Sequence, residues 1–184
     1  MVTHRTTQDL EGAIDHFRSA PADTGTLDLV LRRPAEGERE VLATAELTFA
    51  DGVAGDTWKV RGSRRTEDGS AHPDMQLNVM NARFGRFVAV DPARMTLAGD
   101  QLYVDFDLSE PNVPAGTRLG IGSAVIEITD QPHTGCAKFR QRFGADALRF
   151  VNSPVGRSLR LRGANARVVV EGEIRPGDVV KKLP

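Results

Sequence analysis

The residues best suited to chemistry lie in Pro132-His-Thr-Gly-Cys-Ala-Lys-Phe139, which contains the only cysteine of the chain, Cys136. Apolar side chains at helical spacing after it (Phe139, Phe143, Leu148, Phe150) predict a helix over 137–151. Thr134 and Gly135 then set Cys136 at the helix N-terminus, where unpaired N–H groups and the helix dipole favour a thiolate, helped by Lys138, Arg140 and His133. A partly exposed thiolate in a positive field is a soft metal ligand, a sulfur carrier through a persulfide, or a nucleophile. The residues leave these three roles open. The competing role is an inert, buried small hydrophobe; the Pro, Gly and basic neighbours speak instead for a loop-to-helix site. His133 reads either as a proton donor and ligand contact or as a loop histidine bonded to backbone.

Other signals are weaker. Arg160 and Arg162 alternate with Leu159 and Leu161, and on a strand both guanidiniums would project from one face and grip a phosphate; a solvated strand face is the alternative. Asp105 and Asp107 read as a carboxylate pair or as a wet strand face. Asn78 and Asn81 border a predicted buried segment and either find partners there or form a ligand wall. Arg61, Arg64 and Arg65 could close over an anion, with His72 and Asp74 helping. One Cys and four scattered His lack the spacing of a closed zinc site. A Cys–His nucleophile pair would need an acid to orient His133, and none is readable from the sequence. Gly116, Gly120 and Gly122 have the wrong spacing for a dinucleotide loop, and no Walker-type Gly-Lys-Ser/Thr occurs.

The elements that must position Cys136 are those of one domain spanning 1–184: the chain has 184 residues, 40% hydrophobic and 27% charged, enough to bury a core. No apolar run approaches the roughly eighteen residues of a membrane span, and Met1-Val-Thr-His-Arg5 leads into polar sequence, so the expected address is the cytoplasm. A lone cysteine, which cannot form an internal disulfide, fits that compartment. The net charge of −1 argues against nucleic acid or an anionic membrane as partner. That average hides an asymmetry: residues 133–175 hold nine Lys or Arg against three acids. A basic island around the thiol suits a small anionic ligand better than a long polyanion.

Thr7 to Ala20 reads as an amphipathic helix, stopped by Pro21 and packed on a sheet edge. Gly25 to Arg33 and Glu40 to Phe49 read as an antiparallel strand pair, and Gly52 to Asp74 as a long loop and candidate lid. Strands follow at 76–80, 102–108, 118–120, 124–129, 158–161, 166–170 and 178–181, with a short helix carrying Phe84 and Phe87. Many short strands with a few peripheral helices predict an α+β fold built on a β-barrel.

Taken as an ordered set, Val53-Ala-Gly-Asp-Thr-Trp58, Gln76-Leu-Asn-Val-Met-Asn81, Gly99 to Asp107, Pro132 to Phe139, Arg142-Phe-Gly144, Arg160-Leu-Arg-Gly163 and Gly177-Asp178 resemble the MOSC family, named for the C-terminal domain of molybdenum cofactor sulfurases. The resemblance spans about residues 52–180, with 1–51 expected to pack on the same domain. It implies a strand-rich barrel in which Cys136 is the family cysteine, proposed as a sulfur carrier or as a molybdenum ligand in members that reduce N-hydroxylated compounds. It also implies that basic residues, here Lys138, Arg140, Arg160 and Arg162, hold the pterin phosphate of a molybdenum cofactor, with Thr134, Gly135, Asn78 and Asn81 nearby. The family's pyridoxal-phosphate aminotransferase domain, ferredoxin-like domain and iron–sulfur cysteine set have no counterpart in this sequence. Electrons or sulfur would then come from a partner protein. Oxidoreductase, sulfur transferase and non-catalytic small-ligand module are the resulting functional alternatives, and the oligomeric state is open.

Overall fold

The computed structural model describes residues 3–184; Met1 and Val2 lie outside them. In chain order the elements are helices α1 (Thr7–Gly12) and α2 (Ile14–Arg18); strands β1 (Thr24–Arg32), β2 (Glu40–Leu42), β3 (Ala45–Thr48) and β4 (Gly52–Val53); helix α3 (Trp58–Arg61); β5 (Leu77–Asn81); α4 (Ala82–Ala89); β6 (Leu102–Asp105), β7 (Arg118–Ile121) and β8 (Ala124–Ile128); helices α5 (Ala137–Phe143), α6 (Ala145–Asn152) and α7 (Pro154–Ser158); and β9 (Ala164–Val170), β10 (Gly172–Ile174) and β11 (Val179–Lys182). Strands β1, β11, β7, β8, β9, β5 and β6 close into a mixed barrel. Only β5 and β6 run parallel, joined by the crossover through α4. The long strand β1 makes closure possible: β6 runs along one side, while Thr24–Thr26 pair with β11 and Val30–Arg32 with β2 on the other. Strands β10, β3 and β4 form a second small sheet.

The two-residue period of the strands sorts their side chains between two cores. Leu77, Val79, Leu102 and Val104 fill the barrel, while Met80 and Tyr103, one position on, face a second apolar layer with Leu10, Phe17, Phe84, Phe139 and Phe143. That layer carries the helices, with Phe17 meeting Phe84 edge-on at 5.3 Å. The α+β barrel expected from the strand pattern is therefore present. No helix among the described residues is long and apolar enough to cross a membrane.

Several boundaries are corrected. The helix expected over 7–20 is two short helices, and they pack on α6 and α4 rather than on a sheet edge. The strand expected over 40–49 splits into β2 and β3, which belong to different sheets. The helix expected over 137–151 breaks at Gly144, whose φ of 95° is costly for any residue with a Cβ. The strand expected over 158–161 does not form. Ser153 caps α7 through its hydroxyl and Pro154 opens it, so the chain is helical to Ser158 and turns beyond. The segment 52–74 is partly structured, holding β4 and α3, and β10 was not anticipated.

Candidate functional site

Cys136 is the N-cap residue of α5, in extended conformation (φ −124°, ψ 178°), and its side chain makes no capping bond. It is exposed and lines a cavity of about 730 Å³. The loop before it is fixed by Asn152 of α6, whose amide accepts from Gly135 N at 3.0 Å and donates to Gly135 O at 3.2 Å. A Cβ at 135 would lie 2.7 Å from Val151 Cγ2 and 2.8 Å from Leu148 Cδ1, so a side chain there would have to displace both from the approach of this loop to α6.

Six cationic side chains line the same cavity: Arg33, Arg39, Arg61, Lys138, Arg142 and Arg162. Two are anchored from beneath by buried carboxylates. Asp56 receives Arg33 through Nε at 2.9 Å and Nη2 at 2.8 Å, together with the backbone N–H groups of Arg33 and Trp58. Asp100 accepts from Arg162 Nη1 at 2.6 Å and pairs with His133 Nε2 at 2.8 Å. Arg162 also donates to Ala98 O and lies over the Phe139 ring at 5.2 Å, one turn beyond Cys136. Asn78 accepts from Arg33 and donates to Asn165.

Charge in this cavity is only partly balanced. Partial burial, and then the charges of Arg142 and Arg33, push Arg39 below the usual arginine value. Arg39 Nε, Trp58 Nε1 and Arg162 Nε are buried without a hydrogen-bond partner among the described residues. Burial and the Arg162 charge hold His133 below the ordinary histidine value against the opposing pull of Asp100. At Asp100, burial pushes the carboxyl up, but Arg162 and His133 outweigh it and the net direction is down. The imidazole is therefore neutral at pH 7 and the carboxylate ionised.

The sequence-predicted residues divide clearly. Cys136, His133, Lys138, Arg162 and Asn78 meet at the cavity, as do Arg61 and His72 of the expected lid. Arg160 does not: its backbone turns at φ 45° and its side chain bonds Val113 O, so it meets Arg162 only at a smaller neighbouring cavity. Arg140 is exposed and does not line the cavity. Asn81 is a structural cap, accepting from Arg83 N and Phe84 N and donating to Phe106 O. Thr134 lines that smaller cavity too, together with His133 and Arg162. Asp105 pairs with Arg83 while Asp107 accepts from Ser109 N, so they form no carboxylate pair. Asp74 binds Arg167. Sequence reasoning missed Arg33, Arg39, Trp58, Asp56 and Asp100; for Asp56 and Trp58 the Gly-Asp-Thr-Trp stretch was a signal, but its role was unreadable.

Residues 70–181 match the MOSC domain. The chain belongs to the MOSC domain family. Solved structures share its fold. The YUAD protein from Bacillus subtilis superposes with a TM-score of 0.60 at 12% identity, covering 86% of this chain and 95% of the other. YiiM from Escherichia coli gives 0.56 at 17% identity, covering 86% and 70%, and YiiM from Geobacillus stearothermophilus 0.52 at 15%, covering 89% and 74%. No curated protein matches significantly by sequence. In this MOSC domain, Cys136, His133 and Arg162 fall inside the matched segment, whereas Arg33, Arg39, Asp56 and Trp58 come from before it.

Proposed function

We propose that this MOSC protein holds a molybdenum cofactor in the 730 Å³ cavity, with Cys136 as the protein's ligand to the metal, and acts as an oxidoreductase on small, N-hydroxylated compounds. The observation that carries this reading is an exposed thiol on the wall of a cavity crowded with cations, several of whose donors are unpaired. An anion with several acceptor oxygens relieves both the like-charge repulsion and the unmet hydrogen bonds. The residues present therefore fit a phosphate-bearing cofactor. No group of three or more His, Cys, Asp or Glu among the described residues is placed to hold a bare metal ion. That favours a metal that arrives with its own pterin dithiolene ligands and needs one thiolate from the protein.

When bound, the cofactor supplies a two-electron redox centre. The chain's own residues do the rest: Arg39, Arg142, Arg162 and Lys138 take up phosphate charge, Cys136 fixes the metal end, and Asp56 and Asp100 hold the guanidiniums in place. This chain brings a single cysteine and hence no four-cysteine set for an iron–sulfur centre, and the reading includes an electron-transfer protein as partner.

The test is the metal and pterin content of protein expressed with cofactor supply. Molybdenum and pterin should copurify, and Cys136→Ser should abolish metal retention while leaving the fold intact. Absence of both from the wild type would overturn the proposal. The exposure of Cys136 also favours a sulfur-carrier role; a persulfide on the Cys136 peptide after incubation with a cysteine desulfurase, without bound metal, would establish that reading instead.

A further inference from the structure

The second buried carboxylate does more than neutralise an arginine. Asp100 is fully buried, and its two oxygens are divided between two side chains that line the cavity: Oδ2 takes Arg162 and Oδ1 takes His133 Nε2. An ionised carboxylate only accepts, so the nitrogen facing it must carry the proton. His133 Nδ1 receives no bond from any described residue and is not sealed off from the cavities. The packing holds this arrangement closely. A Cβ at Gly163, whose φ is 114°, would lie 2.6 Å from Val79 O, 3.0 Å from His133 Cδ2 and 3.2 Å from Asp100 Oδ1.

We propose that Asp100 is a positioning residue: it locks His133 as the neutral Nε2–H tautomer, leaving Nδ1 as a half-buried acceptor in a cavity lined largely by cationic donors, where it receives the N–H or O–H of a bound ligand. The guanidiniums recognise anionic oxygens and Nδ1 recognises a proton-bearing group. The ligand class is a neutral compound with an N–OH or N–H function, which rests on the oxidoreductase reading above. The tautomer does not. An aspartate that orients a histidine in this way controls which nitrogen is available, and replacing it by asparagine reverses the choice. In Asp100→Asn the amide oxygen would stay on cationic Arg162 and the amide N–H₂ would face His133 Nε2, forcing the proton to Nδ1.

Imidazole nitrogen NMR of the protein as purified tests this. The wild type should show Nε2–H at pH 7, and Asp100→Asn should show Nδ1–H. Wild-type protein carrying the proton on Nδ1 or on both nitrogens would overturn the proposal, and this outcome does not depend on whether the variant folds. An unchanged tautomer in a folded Asp100→Asn variant would do so too, whereas simple structural support by Asp100 would lower thermal stability without moving the proton. For the ligand class, acetohydroxamic acid and its N,O-dimethyl ether (N-methoxy-N-methylacetamide), which carries neither N–H nor O–H, serve as probes. The parent should shift the His133 Nδ1 resonance and the ether should not; equal shifts, or none from either, would overturn the ligand assignment. Cofactor retention is measured separately, so failure of the oxidoreductase reading would leave the tautomer result intact.

Discussion

Asp56 and Asp100 are both fully buried, both bind an arginine that lines the cavity, and yet they differ in what else they hold. Asp56 is enclosed by Arg33, two backbone N–H groups and Gln101. Asp100 shares its charge between Arg162 and a histidine. The first arrangement is a fixed anchor for the segment from Arg33 to Trp58. The second couples the anchor to an imidazole that burial holds below the ordinary histidine value. One site thus rests on two carboxylates, of which only Asp100 is tied to a histidine.

The largest effect should come from Asp56→Ala, which leaves the buried Arg33 charge uncompensated. Losing one partner of a buried pair costs about 3–5 kcal/mol, measurable as a fall in denaturant midpoint. Asp100→Ala should cost less than Asp56→Ala, because it strands Arg162 and one neutral imidazole N–H, whereas losing Asp56 strands Arg33 and the backbone N–H groups of Arg33 and Trp58; equal or greater destabilisation would break the comparison.

Acid should separate the two next. The folded-state value of His133 lies below its ordinary 6.5, so between those values the unfolded chain binds the extra proton. Stability is therefore full above about pH 6.5 and declines as the pH falls through the folded value. Asp100, also depressed, adds a second loss in the same direction below the ordinary carboxylate range. Unfolding curves from pH 7.5 to 5 should show the first decline in the wild type, and His133→Gln should flatten it. A decline of the same slope in that variant would place the sensitivity elsewhere.

The smallest effect on stability is expected at Cys136. Its side chain is exposed and caps nothing, so Cys136→Ser should change the unfolding free energy by no more than about 0.5 kcal/mol. A larger loss would show that the cysteine is part of the packing.

Much of the barrel was legible because alternation in β1, β6, β8 and β9 is a local consequence of strand geometry. Where local patterns competed, the reading failed. Leu159 to Arg162 alternates like a strand, but Ser153-Pro154 carries the cap and first-turn proline of a helix, and that stronger signal decided the segment. Gly144 likewise ends α5 after Phe143, although apolar spacing continues across it into α6.

Cys136 at a helix start was determined by sequence alone, since a Thr-Gly pair before a helical apolar pattern places it there whatever the rest of the chain does. So were the strand-rich class and the basic character of the surrounding segment. Only the tertiary structure decided which cations face the thiol: Arg33 and Arg39 arrive from about a hundred residues away, while the nearby Arg140 and Arg160 turn elsewhere. It also supplied the acid that orients His133, because Asp100 lies 33 residues earlier and meets it only when the turn before β6 packs beneath the Cys136 loop. Charge is carried by the sequence, but the direction in which a buried charge points is fixed by the partners that desolvation obliges it to find.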